Sequence, residues 1–493
     1  MMAKSGKKIA ITFRKFSLPL QNRFFQVVNY GKISNQITDL HMTKIKKYTF
    51  DAEESVADMV NDCHIPMFFN DGTQFCQDDS INMLSLFSGG GGMDLGFEGK
   101  FICHRKSVGD DKWIDQSVSD KWVLLKKLRF NTVFANDIFK EAKLSWLKYM
   151  RRFGKSEEIY HFESIVDLVK MHKQGTQIFP KNIDVVTGGF PCQDFSLAGK
   201  RQGFDSKKNH DGTVRMSDEP SEETRGKLYY WMKQVVDITK PKMFIAENVK
   251  GLVSLGDVKE IIQKDFASAD GDGYIVLDPQ VLHAGNYGVP ETRERVIFIG
   301  IRKSALNVKA MQMLSKEVVP SEYNPYPMPT HNFNVNDESL LPPVVCRDVF
   351  EGLQEPEYTK DISQMYYSRA KYRGKRLQGQ NEINIDGLGP TIRSEHHGNI
   401  EYRRLSTEHG GANVEELSQG LPERRLTPRE CALIQTFPPD YPCVFNKESG
   451  KGFAVSSSGA YKVIGNAVPP MLAYNIAYRI QKIWDLYFGH DGN

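Results

Sequence analysis

The chain has 493 residues, with 64 Lys and Arg against 61 Asp and Glu and a formal net charge of +3. That length exceeds one ordinary domain and can bury a large core, while so mild a basic balance requires any nucleic-acid surface to come from local clustering. Seven cysteines without Cys-x-x-Cys spacing argue against a structural metal and for a reducing compartment; no apolar run approaches a membrane span and no signal peptide is evident, so the cytoplasm is the expected setting.

The first 80 residues carry scattered basic residues (Lys4, Lys7, Lys8, Arg14, Lys15) and a short amphipathic stretch at 51–60. They read as a packing extension in preference to a DNA-binding arm or a regulatory module. From Asn82 an apolar run leads into Phe87-Ser88-Gly89-Gly90-Gly91-Gly92 and resumes with helix-compatible residues. Glycines after a first strand let backbone approach a ligand, and the helix that follows offers free N–H groups. No Gly-Lys-Ser/Thr ending makes it a P-loop, the dinucleotide spacing fits only loosely, and a tight turn is the alternative. A second strand, Thr132 to Asn136, delivers Asp137, a carboxylate suited to ribose hydroxyls, after an insertion spanning roughly 101–130.

The run Ile183-Asp184-Val185-Val186 predicts a buried strand, and Gly188-Gly189-Phe190-Pro191-Cys192-Gln193 presents a thiol at its carboxyl end, where ligands of α/β sheets gather. A lone cysteine can equally be an inert core residue. Residues 226–238 predict a helix and Lys242 to Val249 another buried strand, which brings Glu247 to the same edge. A carboxylate there needs a partner. Beyond it, Arg293 and Arg295 lead into the strand ending at Gly300; with period-two geometry they share one face and could hold a carboxylate, phosphate or carbonyl. The alternation predicts a doubly wound α/β sheet over 81–302.

Between 303 and 424 this pattern fails, with Pro325-Tyr326-Pro327-Met328-Pro329 and a mixed basic, amide and aromatic run from Gly389 to Arg404. Glu395-His396-His397 lies within it, but adjacent histidines in a strand face opposite ways, so no metal is expected. Thr427-Pro428-Arg429-Glu430 spells a capping box. Pro469-Pro470 opens a helix whose Leu472, Ile476, Ile480, Ile483 and Tyr487 should pack on the sheet.

Taken in order, the glycine loop, Gly-Phe-Pro-Cys-Gln, Glu247-Asn248-Val249, the arginine stretch Asn286 to Gly300, the stretch Arg424 to Pro438 and Tyr461 to Pro470 resemble the six motifs of the DNA cytosine-C5 methyltransferase family, bacterial restriction-modification type. The resemblance implies a Rossmann-like methyltransferase sheet at 81–302, an irregular target-recognition domain at 303–424 and a C-terminal return to the sheet at 425–493. It implies Cys192, Glu247, Arg293 and Arg295 as catalytic residues: Cys192 attacking C6 of a flipped-out cytosine, Glu247 holding N3 and the amino group, Arg295 on the carbonyl, Arg293 bracing the acid and the loop. For S-adenosyl-L-methionine it implies Phe87, Gly89, Gly91, Gly92, Asp137, Ile138, Ile165, Pro191, Asn466 and Val468. For duplex DNA it implies Ser196, Lys200 and Arg201 in a mobile loop from Gln193 to Phe204, followed by a polar insertion, and Thr391 and Arg393 in the recognition interval.

Two positions depart from the family pattern: Ser164 stands where an aspartate near the adenine is usual, and Glu291 where glutamine is usual. The expected enzyme is a monomer that methylates C5 of cytosine in a specific DNA sequence, associates with the nucleoid and protects DNA from a partner restriction endonuclease. An RNA cytosine methyltransferase is disfavoured by the long recognition interval, and a catalytically silent DNA-binding relative by the presence of all four catalytic candidates.

Overall fold

Strand residues alternate between two apolar layers with a period of two. In β8 (Met243–Val249), Met243 and Ile245 join one buried cluster while Phe244 and Ala246 join the other; in β11 (Glu294–Arg302), Ile297, Ile299 and Ile301 face the first and Val296 and Phe298 the second. Such strands must be covered on both faces. The computed structural model describes residues 79–191, 228–254, 256–394 and 399–489. The expectations for residues 1–78, for Cys192, for Ser196, Lys200 and Arg201 with the loop and insertion around them, and for Glu395-His396-His397 lie outside them.

The other strands in chain order are β1 (Ile81–Leu86), β2 (Ile102–His104), β3 (Ile114–Ser117), β4 (Trp122–Leu125), β5 (Phe130–Asn136), β6 (Tyr160–His161), β7 (Val185–Gly189), β9 (Tyr274–Val276) and β10 (Gln280–His283). The central sheet runs β10-β11-β8-β7-β1-β5-β6, with β9 also pairing β11. The five strands from β8 to β6 are parallel, and β11 enters antiparallel beside β8. From β5 onward, successive parallel strands are joined by crossovers, here helices Lys140–Met150, Ile165–Lys173 and Leu228–Thr239. Helix Lys140–Met150 contributes Trp146 and Leu147 to the first layer, and the other two contribute Ile165 and Met232 to the second. This is a doubly wound, Rossmann-like α/β fold. From β1 the chain steps out to β5 and β6, then returns to β7 and β8 on the other side, so the strand order reverses between β1 and β7. A ligand crevice belongs at the carboxyl ends there.

The insertion expected near 101–130 folds as a separate antiparallel sheet, ordered β2-β4-β3. Helix Pro470–Phe488 buries the five apolar residues anticipated for it, each at most 2% exposed. Its main neighbour, however, is helix Gly92–Glu98 rather than the central sheet alone. The two approach closely at Gly96, where a Cβ would lie 2.4 Å from Ala473 Cβ and 2.6 Å from the Pro470 carbonyl oxygen. Among the described residues no helix is long and apolar enough to cross a membrane.

Residues 303–424 hold few regular elements, and buried ion pairs lie beside apolar side chains such as Val344, Val349 and Ile383. The short pair β12 (Tyr402–Arg404) and β13 (Arg424–Arg425) carries Arg404 and Arg424 onto Glu355, and Arg424 also meets Glu430 at 2.8 Å. Glu430 closes the anticipated capping box, its carboxylate accepting from the Thr427 amide at 2.9 Å while Thr427 Oγ1 accepts from the Glu430 amide at 3.0 Å. Burial alone would raise the Glu355 carboxyl, but the hydrogen bonds and charges of Arg424 and Arg404 outweigh it and draw the pKa to about 2.

Two outcomes follow for stability. Gly96→Ala should force the helices apart and lower stability by about 1–3 kcal/mol, seen as a reduced thermal midpoint. Because Glu355 titrates lower in the fold than in the unfolded chain, its contribution is complete above the ordinary value of 4.5 and fades as pH falls toward 2. Glu355→Gln should therefore narrow the stability difference between pH 7 and pH 3, measured by urea unfolding at each pH.

Candidate active site

Strand register assembles the centre of the site. The parallel pairing of β7 and β8 sets Gly189 opposite Glu247, and a Cβ on Gly189 would lie 2.7 Å from Glu247 Oε2. A side chain at position 189 would press on the end of the Glu247 carboxylate. Its neighbour Gly188 is closed in by Met232, whose Sδ would be 2.8 Å from a Cβ. Both glycines thus stay within the strand, which extends to Gly189 instead of stopping at Val186. Glu247 is 7% exposed, and Arg295 Nε lies 2.6 Å from its Oε1. Arg295 reaches it from β11, where it pairs opposite Val249. Asn248, on the other face of β8 and 1% exposed, donates Nδ2 to the Phe190 carbonyl at 3.1 Å. That bond fixes backbone two residues before Cys192. Pro191, partly buried, is the last described residue of this segment.

Arg293 does something different from what its sequence position suggested. It is 0% exposed, and Nη1 donates to the Ile392 carbonyl at 3.0 Å while Nη2 donates to those of Gly465 at 2.9 Å and Ala467 at 2.8 Å. Glu291 Oε1 lies 3.5 Å from Nη1. β11 starts at Glu294, so Arg293 precedes its regular alternation and turns into the C-terminal segment while Arg295 turns to Glu247. The expectation that both arginines share one face, with Arg293 bracing the acid, is corrected accordingly: Arg295 meets Glu247. Burial pushes the Glu291 carboxyl above its ordinary range against the opposing pull of Arg293 and the Ile392 amide.

The loop after β1 forms a cradle. Phe87, Gly89 and Gly91 all have positive φ, at 53°, 56° and 86°, and a left-handed phenylalanine is uncommon enough to mark a constrained turn. The Gly89 amide donates to Asp137 Oδ2 at 3.0 Å and the Phe139 amide to Oδ1 at 2.8 Å, while burial raises the Asp137 carboxyl. Tyr160 and Tyr441, which sequence reasoning had not singled out, donate to the carbonyls of Gly89 and Gly90 at 3.1 and 2.7 Å. Only tertiary proximity reveals them. A Cβ on Gly91 would lie 2.8 Å from the Trp146 ring, and one on Gly92 2.3 Å from the Val468 carbonyl oxygen; Gly89 alone of the three meets nothing within 4 Å. Protein packing accounts for the first two, and Gly89 opens outward.

Ile138, the residue after Asp137, is 47% exposed and Phe162 43%, and Asn466 at the end of helix Ser457–Asn466 is exposed too. Val468 is buried behind the loop, and Ile165 lies in the core at 2% exposure, leaving its side chain almost no surface for a ligand. Ser164 has a local role of its own as the cap of helix Ile165–Lys173, accepting from the Val166 amide at 3.3 Å.

A family model described as C-5 cytosine-specific DNA methylase matches residues 81–482. The chain belongs to this family. It is a DNA (cytosine-5)-methyltransferase. Among curated proteins it is 32% identical to the type II methyltransferase M.BsuRI of Bacillus subtilis, covering 81% of this chain and 79% of the relative. It is 31% identical to M.BspRI of Lysinibacillus sphaericus, covering 93% and 92%. A looser likeness, with a TM-score of 0.45 at 16% identity, covers 81% of this chain and 98% of the Dnmt2 methyltransferase structure from S. pombe.

In this methyltransferase the recognition-interval candidates sit beside the buried arginine. Thr391 Oγ1 donates to the Thr292 carbonyl at 2.6 Å, and Arg393, 34% exposed in its side chain, lies 3.6 Å from Glu401. The hydroxyl of Thr391 is thus engaged within the protein, whereas the Arg393 side chain keeps about a third of its surface exposed.

Gly189→Ala should displace the Glu247 carboxylate by the fraction of an ångström to an ångström that costs about 10²-fold in rate. Steady-state methyl transfer should show that loss chiefly in kcat, with a thermal midpoint near that of the parent.

Proposed function

We propose that this methyltransferase moves a methyl group from S-adenosylmethionine to C5 of cytosine in a specific duplex DNA sequence, by way of a covalent Cys192–C6 adduct on a base turned out of the helix. The observation carrying this reading is the buried Glu247–Arg295 pair, held against Gly189 three residues before Cys192. C5 of cytosine is a weak nucleophile until something adds at C6. The Cys192 thiolate forms the S–C6 bond, and the negative charge that develops on the ring is neutralised by Glu247 at N3 and the amino group. Arg295 takes the ring carbonyl and fixes the acid through Nε. After transfer, the C5 proton leaves and the S–C6 bond breaks, restoring Cys192 and the aromatic ring.

The cradle suits S-adenosylmethionine on chemical grounds: an outward-opening glycine at Gly89, a carboxylate at Asp137 for sugar hydroxyls, and exposed apolar side chains at Ile138 and Phe162 for a flat base. When bound, it supplies an electrophilic methyl group on a sulfonium. Phe87 and Pro191 border the reacting end, Asn466 closes the opening, and Gly91, Gly92, Val468 and Ile165 hold the cradle's shape.

Turning a base out of the duplex costs a few kcal/mol, which contacts from Ser196, Lys200 and Arg201 after the nucleophile offset. Arg393 and the rest of 303–424 supply recognition. The type II naming of M.BsuRI and M.BspRI supports protection against a restriction endonuclease cutting the same sequence.

Tritiated methyl groups should appear in duplex DNA and not in tRNA, and labelling of tRNA alone would overturn the DNA reading. Duplex DNA containing 5-fluorocytosine should become attached to the protein in a denaturant-resistant adduct, since fluorine cannot leave as the C5 proton does. Cys192→Ser should abolish the adduct and lower turnover by roughly three orders of magnitude or more; retained turnover would remove Cys192 from the mechanism.

A further inference from the structure

Ile392 is 4% exposed, and both of its backbone groups are taken by one pair of side chains. Its N–H donates to Glu291 Oε1 at 2.7 Å, and its carbonyl accepts from Arg293 Nη1 at 3.0 Å. The same guanidinium, through Nη2, holds the carbonyls of Gly465 and Ala467 at 2.9 and 2.8 Å. A second contact joins the two segments directly, because a Cβ on Gly465 would lie 2.3 Å from the Arg393 carbonyl carbon. One residue past Ala467, the Val468 carbonyl abuts Gly92, at 2.3 Å from where a Cβ would be. An unbroken path of close contacts thus runs from the 389–394 segment through Arg293 to the glycine cradle.

Glu291 is suited to this place by its geometry. It is 0% exposed, Oε1 does the accepting, and Oε2 has no hydrogen-bond partner among the described residues. Only one acceptor oxygen is in use. A glutamine would supply that oxygen without a buried charge, whereas an alanine would free the Ile392 amide and leave Arg293 without its acidic neighbour.

We propose that Glu291 and Arg293 are positioning residues that make DNA and cofactor bind cooperatively, by holding the Ile392 backbone and the Gly465–Ala467 backbone as one unit. This rests on the reading of 303–424 as the DNA-recognising interval and of the glycine cradle as the cofactor site. Such coupling is reciprocal, so it can be read from either ligand.

The test uses the full-length chain in four forms: parent, Glu291→Gln, Glu291→Ala and Gly465→Ala. Without ligands, hydrogen exchange in Glu291→Ala should accelerate in peptides covering both 389–394 and 463–468, with other regions unchanged and Glu291→Gln matching the parent. Acceleration confined to one segment, or spread over the whole chain, overturns the linkage. With S-adenosylhomocysteine as probe, titrated by calorimetry, a saturating long mixed-sequence duplex should tighten binding to the parent and to Glu291→Gln by about tenfold. In Glu291→Ala and Gly465→Ala that gain should fall to within about twofold of unity, and Gly465→Ala decides the matter if Glu291→Ala does not fold. A parent that binds both ligands without coupling, or variants that keep it, overturns the proposal alone. A parent that binds neither overturns the functional reading beneath it.

Discussion

The site depends on a buried carboxylate whose outer oxygen occupies the space that a side chain at Gly189 would enter. Isolated burial of such a charge is costly. Here Arg295 answers it at 2.6 Å, and the bare backbone of Gly189 leaves Oε2 space. Both partners arrive by sheet register: β7 sets the glycine, β8 the acid and antiparallel β11 the arginine. Alternation along β8 then sends Asn248 to the opposite face, where it grips the Phe190 carbonyl. One strand thereby fixes both the Glu247 carboxylate and the backbone at Phe190.

Away from the sheet, the chain solves a different problem with the same functional group. An irregular backbone leaves carbonyls without partners from helix or ladder, and buried carbonyls must still be satisfied. Guanidinium forks take them up. Arg293 holds those of Ile392, Gly465 and Ala467; Arg425 holds those of Ala370, Gly379 and Ile400; Arg404 reaches Pro422 and Arg429 reaches Tyr441. All four arginines are at most 1% exposed. Removing any one would strand buried acceptors and leave the fold to bear the cost of their desolvation.

Much of this was legible in residue order. Runs such as Met243 to Val249 announce a buried strand, Thr427-Pro428-Arg429-Glu430 announces its own helix start, and Leu472 to Tyr487 repeats at helical spacing, because each pattern records a local periodicity or a hydrogen bond within a few residues. The partners of Arg293 were not legible, since Gly465 and Ala467 lie far along the chain and no spacing rule links them. Nor was the reason for Gly91 and Gly92, whose Cβ space is filled by Trp146 and Val468.

The sequence by itself determined the doubly wound sheet, the order of its motifs and the family to which they belong, because those follow from patterning along the chain. Tertiary structure alone decided that Arg295 meets Glu247 while Arg293 meets the C-terminal segment, and that Ser164 caps a helix. Two arginines one residue apart carry the same chemistry. Which acceptor each finds is set by where β11 begins and by what packs beside it, and packing between distant segments is written only in three dimensions.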